Sequence, residues 1–318
     1  MVDFEALKKL ISTNSFKDLV NQQDITNIQS IIENNPDFFN QKRLLPGVMF
    51  IQEANNKVNQ ERTKYGFRVS QPTGVGQWQD TKGVIYNSKF LNYLIGEKNV
   101  IFDSEGIAEE IIFCESVPLF SESIEYITTF ISEVLKTEQL TPLSEFLHKI
   151  DGISDEYEGH DYFVRQIFIN YRNNTAKLWL YKETNNNERL KELVDHIATN
   201  KTSRFWQNAN GIADCCQDRF YDQSTLTGVI IEISKDGLSD YVGYNFQPSP
   251  ENTDKYKETS NIILSDAVRW EWLSETDTLQ VNQWIDHVGF NNIFIGFQVE
   301  SVSSEINSRI IYGNAGLR

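Results

Sequence analysis

The chain has 318 residues, 40% of them hydrophobic, and a formal net charge of −16. That length can bury one large core or two ordinary ones. The acidic balance argues against general nucleic-acid binding, which needs a basic surface, and against docking on anionic membranes.

The N-terminal segment predicts a soluble protein of the cytoplasm. It has no basic stretch followed by an apolar one, so we expect no signal peptide, and no apolar run approaches the roughly 20 residues that a membrane helix needs. The chain has three cysteines, of which Cys215 and Cys216 are adjacent. Such a set does not form a disulfide framework, which favours a cytoplasmic location with reduced thiols.

The first third of the chain changes from helical to strand patterns. Residues 1–45 read as amphipathic helices that are interrupted at Asn34-Asn35-Pro36. We expect residues 1–60 to be a helical N-terminal extension of a single domain that spans residues 1–318. A strand at 65–70, a Gly-rich connection and a second strand at 84–88 follow.

A hairpin pattern then repeats at nearly constant spacing. Two strands around a polar turn begin at Val100, Val164, Val229 and Ile293, in steps of 64, 65 and 64 residues. The third unit turns at Asp236-Gly237, a strong hairpin signal. Segments with helical spacing follow the first three hairpins, at 121–151, 186–220 and 265–289. The unit is therefore hairpin, helix, helix.

The alternation within the strands predicts how these units assemble. Val229, Ile231 and Ile233 form a wholly apolar face, whereas the opposite face of the repeated hairpins mixes cations, acids and aromatics. A closed antiparallel barrel of about ten strands, ringed by helices and with a wet interior, accommodates both faces. This α+β barrel of ααββ repeats is the predicted fold class. The alternative is a flat antiparallel sheet with one solvated face.

Three short stretches resemble the aromatic prenyltransferases of the ABBA (PT barrel) family. "INYRNNTAKLWLYKE" is similar to the family's central hairpin, "GFRVS" to its first barrel strand and "FIGFQVESVSSEINSRIIYGN" to its C-terminal hairpin. The resemblance covers roughly residues 60–316 and implies a PT barrel. It implies transfer of a dimethylallyl or geranyl group from its diphosphate to an electron-rich aromatic acceptor, an indole or a phenol, as in natural-product biosynthesis.

The chemistry of that reaction assigns roles to residue types. Cations must hold the diphosphate while charge builds on it, aromatic faces must shield the allyl cation, and a base must take the released proton. The predicted diphosphate site is Arg68, Arg165, Lys177 and Arg309, with Lys82 as a fifth candidate. The predicted prenyl and acceptor pocket is Trp179, Tyr181, Tyr241 and Tyr312, and Glu232 is the predicted catalytic base. Each has a plain structural alternative: a surface Arg, ordinary aromatic packing, or an ion pair for Glu232.

Two departures from the family pattern concern the diphosphate site. Some members hold Mg²⁺ with an acidic residue on the first strand, but Gly66 and then Arg68 stand here. The resemblance therefore implies no required cofactor, no metal site and an Mg²⁺ ion that is possible without being essential. Glu109 and Glu110 stand where some members carry a lysine. The acidic loop at 154–161 is predicted to be solvated.

Two other functions remain open from the sequence. The same fold could act on a side chain of a ribosomal, cyanobactin-like peptide, or it could be a non-catalytic ligand-binding barrel. The expected partners are a prenyl diphosphate and an aromatic or peptide acceptor. We expect no nucleic acid, no membrane and a monomer.

Overall fold

The computed structural model describes the chain in segments. These are residues 21–41, 43–55, 62–70, 77–79, 85–87, 98–151, 162–182, 225–248, 293–302 and 305–314, together with 261, 264–265, 268–269, 274–276, 278–279 and 282–283.

Ten of the twelve described strands form one antiparallel sheet. Each strand pairs with two neighbours, and β1 pairs with both β2 and β12, so the hydrogen-bonded order closes into a ring: β1-β12-β11-β10-β9-β8-β7-β6-β5-β2. Strands β3 and β4 pair separately. The strand bounds are β1 Arg43–Asn55, β2 Arg62–Ser70, β3 Gln77–Gln79, β4 Ile85–Asn87, β5 Lys98–Phe102, β6 Ala108–Pro118, β7 Tyr162–Asn170, β8 Thr175–Lys182, β9 Thr225–Ser234, β10 Gly237–Pro248, β11 Ile293–Val302 and β12 Glu305–Asn314.

The strand β1 was not predicted from the sequence, and Pro46 and Gly47 explain why. They interrupt the alternation of the segment, and Pro cannot donate to a ladder. The pairing of β1 with β2 shifts register between Leu44 and Val48, so an irregularity absorbs both residues. A strand of the ring therefore lies within residues 1–60, which we expected to be helical.

The outer face of the sheet is apolar and lies under helices. Phe39 packs edge-on against Phe67 and is stacked with Phe102, and Phe130 packs edge-on against Phe113. These aromatic pairs bury area and add a directional contact to it. The helices whose full length the structure describes are α1 Gln22–Asn34, α2 Pro36–Gln41, α3 Ser121–Leu135 and α4 Thr141–Asp151.

The inner face holds an apolar layer of its own. The layer is buried and close-packed. A Cβ atom added to Gly66 would lie less than 3 Å from the side chains of Met49 and Ile101. Gly228 lies so close under the indole of Trp179 that a Cβ atom would overlap it. The members of this inner apolar layer are Met49, Ile51, Ile101, Ile112, Phe168, Trp179, Ile230 and Tyr241.

These observations correct the predicted fold class. The four predicted hairpins are present, but an α+β barrel ringed by helices as ααββ repeats is wrong for the residues that the structure describes. The first hairpin is followed by a described helix pair, and most of the described residues from 261 to 283, after the third hairpin, are also helical, but strands dominate. The inner face of the sheet carries buried apolar side chains that pack against one another, so the interior does not hold only water. The apolar surface of the sheet is therefore buried by this inner packing as well as by helices. The helices predicted at 186–220 lie outside the described residues.

Among the described helices, none is long and apolar enough to cross a membrane.

Candidate functional site

Three of the predicted site residues meet on the inner face of β8, β9 and β10. The Lys177 ammonium donates a hydrogen bond of 2.7 Å to the Tyr241 hydroxyl and lies 4.5 Å from the centre of the Tyr241 ring. Its Nζ atom is 3.9 Å from Oε2 of Glu232. We call these three residues the Lys177 cluster.

Strand pairing builds this cluster. Lys177 is directly opposite Glu232 in the pairing of β8 with β9. The pairing of β9 with β10 shifts register between Leu238 and Val242, next to Tyr241. Such an irregularity re-aims side chains locally. The cluster therefore depends on two hairpins that are far apart in the sequence.

The Lys177 cluster is accessible and borders the inner apolar layer. The side chains of Lys177 and Glu232 each keep 22% of their surface exposed, whereas Trp179, two residues after Lys177, is only 1% exposed. Phe168 is directly opposite Lys177 on β7. The arrangement offers one cation, one carboxylate and one phenol beside an apolar wall, which suits a ligand with an anionic and an apolar part.

Arg309 belongs to a different set of charges. Its Nη1 atom is 3.0 Å from Glu110, and its Nε atom is 3.7 Å from Glu53. Glu53 also binds the ammonium of Lys64 at 2.7 Å. Lys64 in turn reaches Glu109 at 2.6 Å. The last link is Arg172, whose Nη1 atom donates to Glu109 at 2.8 Å.

These six side chains form an alternating series that we call the ionic chain. Three cations face three carboxylates, so the series is neutral. Except for Glu53 and Arg172, the side chains are at most 10% exposed. A buried charge persists only when it is paired, and each member here has an oppositely charged neighbour. Its order is Arg172, Glu109, Lys64, Glu53, Arg309 and Glu110.

The protonation of Glu109 follows from its position in the ionic chain. Burial by itself raises the pKa of this carboxyl group, but the hydrogen bond and charge of Lys64, and then those of Arg172, outweigh burial and hold the pKa below its ordinary value. The same contact with Glu109 raises the pKa of Arg172. Glu109 is therefore ionised at neutral pH.

The remaining predicted site residues lie in several places. Arg68 is half-buried and in register with Asn99. Arg165 falls at a register shift between Val164 and Gln166, so Gln166 stands opposite Trp179. Phe168 is opposite Lys177, so Gln166 shares the face of Lys177, and Arg165 is the extra residue at the shift.

Three further predicted residues are described only in part or not at all. Tyr181 is in register with Gly228, and Tyr312 with Phe50. The side chains of Tyr181 and Tyr312 and the whole of Lys82 lie outside the described residues.

Sequence reasoning missed Lys64, Glu53 and Arg172 as partners of Glu109 and Arg309. Glu109 and Glu110 were noticed as a departure from the family pattern, and two buried carboxylates do require cations nearby. That requirement was the available signal. Which cations lie next to these carboxylates depends on the pairing of β1 with β12, and the sequence shows no sign of that pairing.

A Cβ atom added to Gly66 would lie 2.6 Å from Cε of Met49 and 2.9 Å from Cδ1 of Ile101. Within the described segments, no three His, Cys, Asp or Glu side chains are grouped so that they could hold a metal ion.

No protein-family model matches the chain, and no curated protein matches it. The chain is similar to a solved structure described as "KdgM porin", with 9% identity over 86% of this chain and 100% of that one, and a TM-score of 0.25. A likeness at this TM-score bears on neither fold nor function.

Proposed function

We propose that the chain is a transferase that moves a prenyl group from its diphosphate to an electron-rich acceptor, with the Lys177 cluster as its centre. The observation that carries the proposal is the convergence of Lys177, Tyr241 and Glu232 on the inner face, beside the inner apolar layer. These are the cation, the aromatic ring and the carboxylate that such a transfer needs.

Each member of the cluster has a role in the proposed reaction. The Lys177 ammonium and the Tyr241 hydroxyl would donate hydrogen bonds to the diphosphate as the C–O bond breaks. The Lys177 ammonium lies 4.5 Å from the centre of the Tyr241 ring, so this ring already interacts with a positive charge. The same ring can stabilise an allyl cation. Once the new bond has formed, Glu232 would accept the proton that the acceptor loses.

The contacts of Arg309 and Lys177 distinguish these two members of the predicted diphosphate site. Arg309 is already paired with Glu110 and Glu53, so a diphosphate could use it only by breaking those contacts. Lys177 is more accessible than Arg309, with 22% of its side chain exposed against 9%, and its hydrogen bond of 2.7 Å goes to the neutral Tyr241 hydroxyl. We therefore propose Lys177 as the principal diphosphate ligand.

A second candidate function is a non-catalytic ligand-binding barrel. The observation that favours it is the neutrality of the ionic chain, because a site built for a multiply charged anion is expected to carry an excess of cations. This candidate retains a ligand at the Lys177 cluster but no group transfer.

Calorimetric titration with dimethylallyl thiodiphosphate, with and without Mg²⁺, tests the proposal. We expect micromolar binding, about −8 kcal/mol, that persists without Mg²⁺. Lys177→Ala should weaken binding at least tenfold, whereas Lys149→Ala, on an exposed helix position, should leave it unchanged.

Turnover separates the two candidates. Binding followed by transfer to indole or phenol acceptors supports the transferase, and binding without transfer to any indole, phenol or peptide acceptor favours the binding barrel. No binding of the thiodiphosphate would overturn the proposed transfer.

A further inference from the structure

A cleft of about 790 Å³ opens at the hairpin end of the sheet, and none of the three residues of the Lys177 cluster lines it. It lies between the first turns of α1, the β5–β6 turn and the β7–β8 turn. Lys64, Glu109 and Arg172 of the ionic chain form part of its wall. Its volume is in the range of small-molecule sites.

The cleft carries an excess of negative charge. Four carboxylates line it, those of Asp24, Asp103, Glu105 and Glu109, against two cations, Lys64 and Arg172. Glu109 is already matched with both of those cations. The charge of Arg172 also acts on Asp103 and Glu105, but four carboxylates still outnumber two cations, so the cleft has a potential that attracts a cation.

An exposed apolar side chain stands at the same cleft. Ile107 is 58% exposed, and Leu279 is the other large hydrophobic residue that is exposed among the described ones. An exposed apolar residue at the edge of a concave site can cover the apolar part of a ligand.

The turn that carries Ile107 is held in place. The Asp103 carboxylate accepts hydrogen bonds from the backbone N–H groups of Glu105 at 2.9 Å and Ile107 at 2.8 Å. Asn35, after α1, donates to the Gly106 carbonyl at 3.2 Å. The backbone that carries Glu105 and Ile107 is thus held in place, so a ligand would not have to order the turn.

We propose that this cleft is a second ligand site that takes a cationic amphipathic group, an ammonium or guanidinium joined to an apolar chain. The carboxylate of Glu105 meets the cation and Ile107 covers the apolar part. Such a group can come from a free amine or from a basic residue of a peptide. The inference does not depend on prenyl transfer.

Nuclear magnetic resonance titration of the whole chain with three six-carbon or shorter probes tests the proposal. Hexylammonium offers charge and an apolar chain, hexanol the chain alone and ethylammonium the charge alone. We expect hexylammonium to bind at least tenfold more tightly than either of the others, with shifts confined to the cleft residues, and to weaken several-fold in 0.5 M salt. Equal binding of all three probes, or shifts away from the cleft, would overturn it.

Matched variants locate the two halves of the site. Glu105→Gln should weaken hexylammonium several-fold, and Ile107→Ser should do the same, whereas Glu138→Gln and Leu279→Ser should not. If the controls act as strongly as the cleft variants, the proposal fails. Titration with the amide of arginine and with a leucyl-arginine amide shows which source fits: tighter binding of the dipeptide indicates a peptide, and tighter binding of hexylammonium a free amine.

Discussion

Two groups of inner charges, the Lys177 cluster and the ionic chain, use the same residue types in different ways. In the ionic chain, Lys64 has carboxylates at 2.6 and 2.7 Å and a side chain that is 10% exposed. Lys177 has a phenol at 2.7 Å, its carboxylate at 3.9 Å, and 22% exposure. A saturated, buried lysine contributes to the fold, whereas an accessible lysine with a neutral close partner can still bind an anion.

The largest expected effect comes from removing a carboxylate of the ionic chain. Glu109→Ala leaves Lys64 with one acid and deprives Arg172 of its partner, so we expect unfolding to become easier by about 3 kcal/mol. Glu232→Ala, the matched change in the Lys177 cluster, should cost less than about 1 kcal/mol because its ion pair is long and partly solvated. Urea unfolding of both variants measures the difference. Equal losses would mean that the two groups of charges do not differ as described.

A second variant tests the inner apolar layer that borders the Lys177 cluster. Gly228→Ala would place a methyl group against the Trp179 indole and the Leu180 carbonyl, so something must shift. We expect a loss of about 2 kcal/mol from overpacking, together with a change in Trp179 fluorescence. An unchanged midpoint of urea unfolding would show that the layer is not close-packed at this point.

The dependence of stability on pH separates Glu109 from another buried acid, Asp24. The folded pKa of Glu109 is lowered, so its contribution is present above the ordinary value of 4.5 and is lost as the pH falls through the folded pKa. Burial raises the pKa of Asp24 above 3.8, although the hydrogen bond from Tyr65 opposes this shift. The contribution of Asp24 to stability therefore has the opposite sign, and it is lost as the pH rises through the folded pKa. We expect Glu109→Gln to flatten the acid limb of the stability curve and Asp24→Asn to steepen it. Unfolding from pH 3 to 6 would show both changes, and a curve that does not respond to either variant would contradict them.

A smaller effect is expected where α1 meets β2. The Tyr65 hydroxyl donates to Asp24 at 2.5 Å and accepts from Asn27 at 3.0 Å. Tyr65→Phe removes both hydrogen bonds but leaves the ring packed against Phe50, so we expect a loss of about 1 kcal/mol. Thermal unfolding measures it, and Tyr126→Phe, whose hydroxyl bonds to an exposed glutamate, is the control.

The sequence predicted the shared face of Lys177 and Glu232 better than it predicted the strand that completes the ring. Period-two alternation brought Lys177, Trp179 and Glu232 to one face, because both strands are regular where they pair. Arg165 could not be assigned to a face in the same way, because a register shift interrupts β7 at this residue. Strand β1 was missed because Pro46 and Gly47 hide it, and with it the partners of Arg309 were missed as well. Local patterns fix faces, but they do not fix which distant strands meet.

The most direct test of the difference between the two lysines is their chemical reactivity. Limited reductive dimethylation of the native protein, followed by peptide mass spectrometry, gives the modification rate of Lys177 and of Lys64 with and without dimethylallyl thiodiphosphate. We predict that Lys177 reacts at least tenfold faster than Lys64 and that the thiodiphosphate protects Lys177 alone. Equal rates for the two lysines, or a Lys177 rate that the thiodiphosphate leaves unchanged, would contradict the assignment of the Lys177 cluster as the ligand-binding centre.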